Sequence, residues 1–311
     1  MRSIRHVAVV GTGVIGASWA AYFLARGLRV TATDPAPDAE RRVRDAVAAA
    51  WPVLERLGPV TGSPNALRFE PELERAVAEA DFVQENGPER EDVKRETYRR
   101  MDASTAPDVI LATSSSGLLV SRVQTACRHP ERVVLGHPFN PPHLIPLVEV
   151  VGGELTSPET VDAAFAFYEG IGKRPIRLRR EVPGHVANRL QAALWREAFS
   201  LVEKGVATVS DIDTAIAHGP GLRWALLGPF VNLDLSGGAG GLAHVLDHLG
   251  PGMESWWADL GSPSITPALR ESLLQQLAEE LRDVEPEAMT ASRDAILIEL
   301  LRMKERSGAL P

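Results

Sequence analysis

The sequence predicts an α/β fold, a Rossmann-type doubly wound parallel sheet followed by an all-α C-terminal domain. Short runs rich in β-branched residues alternate with helical stretches through the first half of the chain. These runs are apolar throughout, as expected for strands that are covered on both faces. After Pro183 and Gly184 only helical periodicity continues. The predicted domains are therefore residues 1–182 and 183–311.

Each predicted strand is short and is bounded by turn residues or by a helical pattern. The strands are predicted at His6–Val10, Leu28–Thr33, Asp81–Glu85, Asp108–Ala112, Arg132–Gly136 and Leu147–Val151. The helices of the first domain are predicted at Val14–Arg26, Asp38–Leu57, Pro71–Ala80, Asp92–Met101, Leu118–Ala126 and Pro158–Ile171. The helices of the second domain are predicted at His185–Lys204, Val209–Ala217, Gly241–Leu249, Pro267–Leu281 and Ser292–Arg306.

Composition and charge exclude several classes of protein. The chain has 33 basic and 41 acidic residues, a net charge of −8, which argues against a nucleic-acid-binding surface. Cys127 is the only cysteine, so nothing calls for an oxidising compartment. No apolar run approaches the roughly 18 residues of a membrane span, and Met1–His6 lacks the pattern of a signal peptide. We therefore expect a cytoplasmic protein with a small-molecule partner and no membrane or nucleic-acid partner.

A glycine-rich segment directly follows the first strand and opens the first helix. In a G-x-G-x-x-G turn the first glycine permits the tight turn, the second lets the backbone approach a pyrophosphate, and the third lets helix and strand pack closely. The pyrophosphate would rest on amide groups at the helix N-terminus, where the dipole is positive. The predicted dinucleotide contacts are Gly11, Gly13, Val14, Ile15 and Gly16.

Asp34 ends the second predicted strand, at the position where an acidic residue accepts hydrogen bonds from the adenosine ribose. A carboxylate there would repel a 2′-phosphate, and Pro35 follows it, so no arginine stands beside it in sequence. The cofactor predicted is NAD, not NADP. The alternative is a glycine-rich turn capped by a surface aspartate.

His137 and Glu149 form the predicted chemical centre. His137 ends a strand at the carboxyl edge of the sheet, where open α/β folds bind ligands. Glu149 lies within the apolar run of the next strand, where an unpaired carboxylate would be costly. A carboxylate on one imidazole nitrogen fixes the tautomer and leaves the other nitrogen free to exchange a proton. The alternative is a buried pair that only holds the turn.

Two other groups of residues are weaker candidates. The segment 112–117 contains Ser114 and Ser116 at the end of another strand, where hydroxyls and amides would bind the cofactor or a substrate oxygen, or form a solvated turn. His244 and His248 have a spacing seen in metal ligands but lack an obvious third ligand. No metal is predicted.

Several motifs in order resemble the 3-hydroxyacyl-CoA dehydrogenase family over nearly the whole chain. They are Gly11–Gly16, Ser115–Leu118, His137–Pro141, Leu147–Val150 and Pro183–Leu190. The resemblance implies an NAD-dependent enzyme in which His137 is the general base or acid, Glu149 its partner, and Ser116 and Asn188 donors to the substrate oxygen. It further implies that Glu89 and Lys94 contact the nicotinamide end of the cofactor, with Ser114 and Asn140 as additional cofactor contacts.

The resemblance also implies a homodimer, with the helices His185–Lys204 and Ser292–Arg306 as candidate interfaces. The C-terminal domain is expected to bind the substrate and to dimerise, and the N-terminal domain to bind NAD.

Three segments are most similar to the branch that contains lambda-crystallin (L-gulonate 3-dehydrogenase) and L-carnitine dehydrogenase. They are Ser114–Leu118, His137–Pro142 and Gly221–Pro229. No lysine precedes Lys94, whereas members that hold coenzyme A carry a lysine-rich excursion after the second strand. The implied reaction interconverts a free 3-hydroxy acid and its 3-keto form by hydride transfer.

Within that reaction Arg223 is a candidate partner of the substrate carboxylate, with Trp224 beside it. A structural ion pair is the alternative role of Arg223. The alternatives for the whole protein are a 3-hydroxyacyl-CoA dehydrogenase, a stand-alone polyketide ketoreductase with the same mechanism, and a non-catalytic NAD-binding protein like a lens crystallin.

Overall fold

A computed structural model describes residues 3–308 and residue 310. The chain divides into two compact units, Met1–Arg189 and Leu190–Pro311. The predicted domain limits at residues 1 and 311 lie outside the described residues. The predicted boundary between residues 182 and 183 stays a prediction, as do the roles assigned to the two domains.

The first unit is built on one sheet. Its strands are β1 His6–Val10, β2 Arg29–Thr33, β3 Leu67–Phe69, β4 Phe82–Glu85, β5 Ile110–Thr113, β6 Val133–Pro138, β7 Leu147–Gly152 and β8 Arg174–Arg177. Their order across the sheet is β3-β2-β1-β4-β5-β6-β7-β8. The strands from β3 to β6 are parallel, so their carboxyl ends share one edge, and the chain order reverses between β1 and β4. That reversal is where open α/β sheets bind ligands.

Helices cover both faces of this sheet. They are α1 Val14–Ala25, α2 Ala39–Leu57, α3 Leu73–Val77, α4 Glu91–Ser104, α5 Val120–Gln124 and α6 Pro158–Gly170. One buried cluster joins α1, α2 and α6 to the sheet and includes Trp19, Phe23 and Tyr168. A second cluster joins α3, α4 and α5 to the opposite face and includes Tyr98 and Met101. Because side chains of a strand alternate in direction, successive residues of β1 enter the two clusters in turn.

The second unit is helical. Helix α7, Ala187–Glu203, spans the division between the units, and six helices follow it in the described chain. They are α8 Val209–His218, α9 Pro220–Trp224, α10 Pro229–Ser236, α11 Gly241–Asp259, α12 Pro267–Glu280 and α13 Pro286–Ser307. None of the helices in residues 3–308 combines the length and the apolar character needed to cross a bilayer.

The predicted fold class is confirmed, but one strand departs from the parallel arrangement. Strand β7 runs antiparallel to β6, and β8 runs parallel to β7. The connection between β6 and β7 contains only residues 139–146, and a parallel crossover needs a dozen residues or more. The short connection therefore forces the return direction.

Two strands and two helices were missed. Strands β3 and β8 lie at the two edges of the sheet, and exposed arginines such as Arg174 interrupt their apolar pattern. The glycines and prolines around α9 and α10 were read only as breaks between helices. Helix α11 was predicted to end at Leu249, but it continues through Pro251 to Asp259.

Candidate active site

The turn after β1 has the backbone that a pyrophosphate site requires. Gly11 has φ +85°, and a Cβ there would lie 2.8 Å from the backbone of Asn86. A Cβ on Gly16 would lie 1.8 Å from the carbonyl oxygen of Gly11, so the helix could not pack as it does. Nothing lies within 4 Å of a Cβ built on Gly13, which leaves the turn open to a ligand. The turn therefore fits a bound dinucleotide.

The start of α1 is free to accept an anion. Its N-cap is Gly13, it has no capping side chain, and its first turn has no acidic residue. Val14 is exposed at this end and Ile15 is half-buried. The first amides of a helix otherwise lack partners, so this end suits a phosphate. The predicted contacts at these positions stay proposals.

Hydrogen bonds from Thr12, in the glycine-rich turn, and from Ala36 hold the carboxylate of Asp34 in a fixed position. Its Oδ2 accepts from the amide and the hydroxyl of Thr12 at 2.7 and 3.2 Å, and its Oδ1 accepts from the amide of Ala36 at 2.9 Å. It also lines an open groove of about 710 Å³ that Phe69 and Arg41 line too. The groove suits an adenosine, and the fixed carboxylate suits its ribose hydroxyls.

Replacing Asp34 with serine is expected to raise the KM for NAD about 10- to 100-fold, the cost of a lost hydrogen bond to a charged group. The preference for NAD over NADP should fall as well, because the charge that would repel a 2′-phosphate is gone. Initial rates with the two cofactors measure both effects. The matched control is Asp38→Asn, since Asp38 lines the same groove. An unchanged KM in the Asp34 variant, or an equal rise in the Asp38 variant, would refute the role.

A buried ion pair between Lys94 and Glu85 supports the loop that follows β4 and contains Gly87. The ammonium of Lys94 on α4 donates to both carboxylate oxygens of Glu85 at 2.9 Å and to the carbonyl of Gly87 at 3.2 Å. Both side chains of the pair are 1% exposed. Because an ammonium has three donors, these bonds use its full capacity. The predicted contact of Lys94 with the cofactor stays a prediction, and this geometry supports an indirect role through the loop.

Replacing Lys94 with methionine is expected to lower the free energy of unfolding by about 3–5 kcal/mol, because Glu85 would become a buried, unpaired charge. Chemical denaturation of the purified variant measures this loss. Arg99→Met is the control, since Arg99 pairs with Glu96 on the exposed face of the same helix at 2.6 Å. We expect it to change stability little. Equal stabilities for the two variants would contradict this assignment.

Glu89 organises the turn after β5. One of its oxygens accepts from the hydroxyl of Ser115 at 2.5 Å and from the amides of Gly117 and Leu118 at 2.8 and 3.1 Å. Partial burial alone would raise the pKa of Glu89, but these bonds and the charge of Lys94 outweigh it and lower the pKa. Glu89 is therefore a carboxylate that shapes the turn carrying Ser116, the predicted donor.

A buried amide connects the neighbouring strand ends. Gln84 donates to the hydroxyl of Ser114 at 2.8 Å and to the carbonyl of Gly136 at 3.3 Å, and it accepts from the hydroxyl of Tyr168 at 2.5 Å. Ser114 in turn donates to Asn86 at 2.8 Å. Ser114 is thus an internal link between two loops, and its predicted cofactor contact stays a proposal. Gln84 could not be identified from the sequence, because a single amide in a strand gives no sign of its partners.

His137 and Glu149 are brought together by the register of two strands. The two residues are direct partners in the antiparallel pairing of β6 and β7. His137 Nδ1 lies 2.8 Å from Glu149 Oε2, and the residues are 5% and 0% exposed. A carboxylate can only accept, so Nδ1 carries the proton and Nε2 of a neutral ring keeps its lone pair. The arrangement provides an oriented proton acceptor.

The start of α7 satisfies the second oxygen of Glu149. Its Oε1 accepts from the amides of Val186 and Ala187 at 2.9 and 3.0 Å. Burial alone would raise the pKa of Glu149, but the bonds from His137 and from these amides outweigh it and lower the pKa. The positive end of a helix dipole acts in the same direction. Glu149 therefore stays ionised without exposure to water.

The loop of residues 139–146 is held in place by Lys173 and Ser18. Lys173 donates to the carbonyls of Pro142 and Ile145, and its ammonium lies 3.8 Å from the ring centroid of Tyr22. Burial lowers the pKa of Lys173 well below its ordinary value. Ser18 on α1 contacts Nδ1 of His143 at 2.8 Å and accepts from its amide at 2.8 Å. The loop is thus tied to the helix that begins at the dinucleotide turn.

The remaining predicted residues lie at defined places, and their roles stay predictions. Ser116 is exposed directly after β5, and Asn140 is exposed in the loop after β6. Asn188 is half-buried in the first turn of α7, directly after the amides that bind Glu149. Arg223 and Trp224 are exposed at the end of the short helix α9 in the second unit.

The rings of the two spaced histidines of α11 lie close together at a tilted angle. The ring centroids of His244 and His248 are 4.2 Å apart. Among the residues that the structure describes, no group of three or more His, Cys, Asp or Glu side chains is arranged to hold a metal ion.

Family models and relatives match almost the entire chain. Residues 6–182 match the model described as 3-hydroxyacyl-CoA dehydrogenase, NAD binding domain, and residues 184–281 match 3-hydroxyacyl-CoA dehydrogenase, C-terminal domain. The chain is 51% identical to L-carnitine dehydrogenase of Streptomyces coelicolor over 98% of its length and 96% of that protein. It is 46% identical to L-carnitine dehydrogenase of Bacillus cereus over 98% of its length and 94% of that protein.

A solved structure is similar over the full length. It is 5-formyl-3-hydroxy-2-methylpyridine 4-carboxylic acid 5-dehydrogenase, described as an NAD⁺-dependent dismutase. The identity is 34% and the TM-score 0.85, with 98% of this chain and 99% of that chain covered.

Proposed function

The chain belongs to the 3-hydroxyacyl-CoA dehydrogenase family, and from that premise we propose that it oxidises the C3 hydroxyl of L-carnitine, or of a closely related free 3-hydroxy acid. The predicted family, the class of enzyme (an oxidoreductase) and the cofactor (NAD) are confirmed. The observation that carries the choice of substrate is the 51% identity to a protein named L-carnitine dehydrogenase over 98% of the chain.

His137 would serve as the general base. Its Nε2 takes the proton of the substrate hydroxyl while Nδ1–H remains bonded to Glu149 at 2.8 Å. NAD, when bound, supplies the acceptor for the hydride that leaves C3. Two electrons and one proton thus leave with the hydride, the second proton rests on His137, and the product is a ketone. In the reverse direction the imidazolium returns the proton to the oxygen.

Glu149 would favour this proton transfer in two ways. It holds the ring in the tautomer that leaves Nε2 able to accept, and its negative charge stabilises the imidazolium that forms. Both effects require an ionised carboxylate, and the lowered pKa of Glu149 supports that state across the neutral range. Ser116 and Asn188 are the proposed donors to the substrate oxygen, and each would stabilise the charge that develops there.

A free acid is favoured over a coenzyme A thioester. Lysine is absent before Lys94, so α2 and the segment after it offer no lysine cluster for a 3′-phosphate. Arg41 and Arg44 of α2 pair with Asp45 and Glu40 on the same helix, at 3.8 and 2.7 Å. These arginines therefore belong to a network of exposed ion pairs.

Arg223 and Trp224 are the proposed substrate contacts in the second unit. A guanidinium binds a carboxylate with two parallel hydrogen bonds. Arg223→Met should therefore raise the KM for the hydroxy acid and leave the KM for NAD unchanged. An unchanged substrate KM would return Arg223 to a structural role.

We also propose that the protein is a homodimer. Large apolar side chains of the second unit are exposed in the single chain, among them Phe230 at 73% and Trp256 and Trp257 at 64%. Apolar surface of this kind marks an interaction face. Light scattering coupled to gel filtration should give twice the mass of the chain, and the mass of one chain would refute the proposal.

A substrate screen tests the proposed function. The purified protein is mixed with NAD and, separately, with L-carnitine, D-carnitine, L-gulonate, 3-hydroxybutyrate or 3-hydroxybutyryl-CoA, and NADH absorbance is followed. We expect the highest kcat/KM with L-carnitine. A higher value with the thioester would select the acyl-CoA reaction, and a higher value with L-gulonate would select the other free acid. Activity with none of them would refute the proposal.

A further inference from the structure

His185 lies just before α7 in a conformation that needs support. Its φ is +52°, in the left-handed region that residues other than glycine adopt in only a few per cent of cases. The residue is only 2% exposed. Residues kept in such conformations persist only where the surrounding contacts fix them, and they concentrate at functional sites.

The hydrogen bonding of His185 defines its tautomer. Nε2 lies 3.0 Å from the carbonyl oxygen of Ser115, and since a carbonyl only accepts, Nε2 carries the proton. Nδ1 is buried and has no hydrogen-bond partner among the described residues. Protonating Nδ1 would therefore place an unpaired donor and a charge inside the protein. His185 is expected to remain a neutral imidazole.

Its neighbours make the two imidazoles unequal. The ring of His185 lies 5.0 Å from that of His137, between centroids. Burial lowers the pKa of His185, and the charge of a protonated His137 lowers it further. The bond to Ser115 and the carboxylates of Glu149 and Glu89 oppose these effects without reversing them. Of the two rings, His137 has the carboxylate partner and is the one suited to take the proton.

The segment from His185 to Ala187 connects two parts of the site. The side chain of His185 bonds to Ser115, next to Ser116 in the turn after β5. The amides of the two following residues bond to Glu149 on β7. A single short stretch of backbone thus fixes the distance between the turn of Ser116 and the carboxylate that orients His137.

We propose that His185 is a positioning residue, a neutral imidazole that ties the turn of Ser116 to the His137–Glu149 pair. The proposal rests on the proposed function, because it assigns His185 a part in the same oxidation. His185 itself does not exchange the proton. Its role is to keep a donor for the substrate oxygen at a fixed position relative to the base.

Two matched variants separate this role from general stability. His185→Gln and His185→Leu meet the same left-handed backbone, but only glutamine keeps an N–H that reaches the carbonyl of Ser115. We expect kcat to fall about 10- to 100-fold in the leucine variant, the effect of leaving a buried acceptor without its donor, and to stay within about threefold of wild type in the glutamine variant. The KM for NAD should be unchanged in both.

A measurement without substrate tests the neutral tautomer. Protein labelled with ¹⁵N-histidine gives ring signals, and those of His185 are assigned by their loss in His185→Gln. We expect a protonated Nε2 and an unprotonated Nδ1 from about pH 8 to about pH 6, across the ordinary histidine pKa of about 6.5. A protonated Nδ1, or titration of His185 in that range, would overturn the proposal.

The kinetic outcomes distinguish this proposal from the proposed function. Full activity of the leucine variant, or equal loss in both variants, would refute the positioning role while leaving the dehydrogenase assignment intact. A wild-type protein that oxidises none of the screened acids would refute the proposed function and, with it, the part assigned to His185. The proposal is supported if His185→Gln keeps near-wild-type activity while His185→Leu loses it, and if His185 of the wild-type protein is the neutral tautomer protonated on Nε2.

Discussion

Replacing His137 with glutamine is expected to lower kcat for L-carnitine oxidation by about 10³- to 10⁴-fold, the upper part of the range for general acid–base catalysis. Glutamine is polar and similar in size, but its amide cannot accept the proton of a hydroxyl at neutral pH. The glycine-rich turn Gly11–Gly16 follows β1, whereas His137 lies on β6. The affinity for NAD should therefore be unchanged. Steady-state rates and calorimetric titration with NAD measure the two quantities on the same sample.

The chain offers a matched control for this variant. His129 also pairs with a glutamate, Glu131, at 3.3 Å, but its side chain is 45% exposed. His129→Gln should keep the wild-type rate. If the His137 variant kept most of its activity, or if both variants lost equal activity, His137 could not be the base.

Replacing Glu149 with glutamine is expected to lower kcat by about 10²- to 10⁴-fold, because a neutral amide no longer stabilises the imidazolium and selects the wrong tautomer. The amide oxygen can still accept from Val186 and Ala187, which would direct the amide NH₂ toward Nδ1 of His137. Nδ1 would then accept a hydrogen bond from this amide, and Nε2 would carry the ring proton. A protonated Nε2 cannot accept the proton of the substrate hydroxyl. The measurement is kcat for L-carnitine oxidation at neutral pH.

Stability gives a second, independent measure of Glu149. The pKa of Glu149 is lowered in the folded protein. A carboxylate whose pKa is lowered on folding stabilises the folded protein. This stabilisation is fully present above the pKa of the unfolded chain, about 4.3, and it is lost as the pH falls through the pKa of the folded protein. The difference in unfolding free energy between wild type and Glu149→Gln should therefore shrink below about pH 4.

The control for both measurements is Glu154→Gln, since Glu154 is exposed in the loop that follows the same strand. It should change neither the rate nor the pH dependence of stability. A Glu149 variant with wild-type kcat would mean that the pair only holds the strands together.

The central pair was predictable from the sequence because its signal is local. A glutamate within the apolar run of β7 requires a partner, and a histidine at the end of the preceding strand is the nearest one. The direction of β7 was not predicted, although the short connection contained the information. In the antiparallel register the two residues are direct partners, which explains the short distance between them.

Other parts of the site depend on contacts far apart in sequence. The resemblance places Lys94 at the cofactor, and that role stays a prediction, but nothing in the sequence indicates that its ammonium is bonded to Glu85 and to the carbonyl of Gly87. The tautomer of His185 depends on Ser115, which lies 70 residues away in sequence. The burial and the hydrogen-bond partners of Lys94 and His185 depend on tertiary packing, which a local sequence pattern does not predict.

The second unit was harder to predict around α9 and α10, where glycine and proline interrupt the helical pattern. Only a few of its large apolar residues are buried in the described chain, among them Val202, Val245, Leu269 and Ile298. Exposed apolar residues such as Phe230 blur the helical periodicity that defines element boundaries. This is consistent with the missed helices α9 and α10.

Transfer of deuterium from C3 is the most direct test of the proposed reaction. L-Carnitine carrying deuterium at C3 is incubated with the protein and NAD, and the NADH is analysed by mass spectrometry. We expect one deuterium in each NADH and a slower rate than with unlabelled substrate, because the C3 hydride leaves as His137 takes the hydroxyl proton. NADH without deuterium, or no NADH at all, would contradict it.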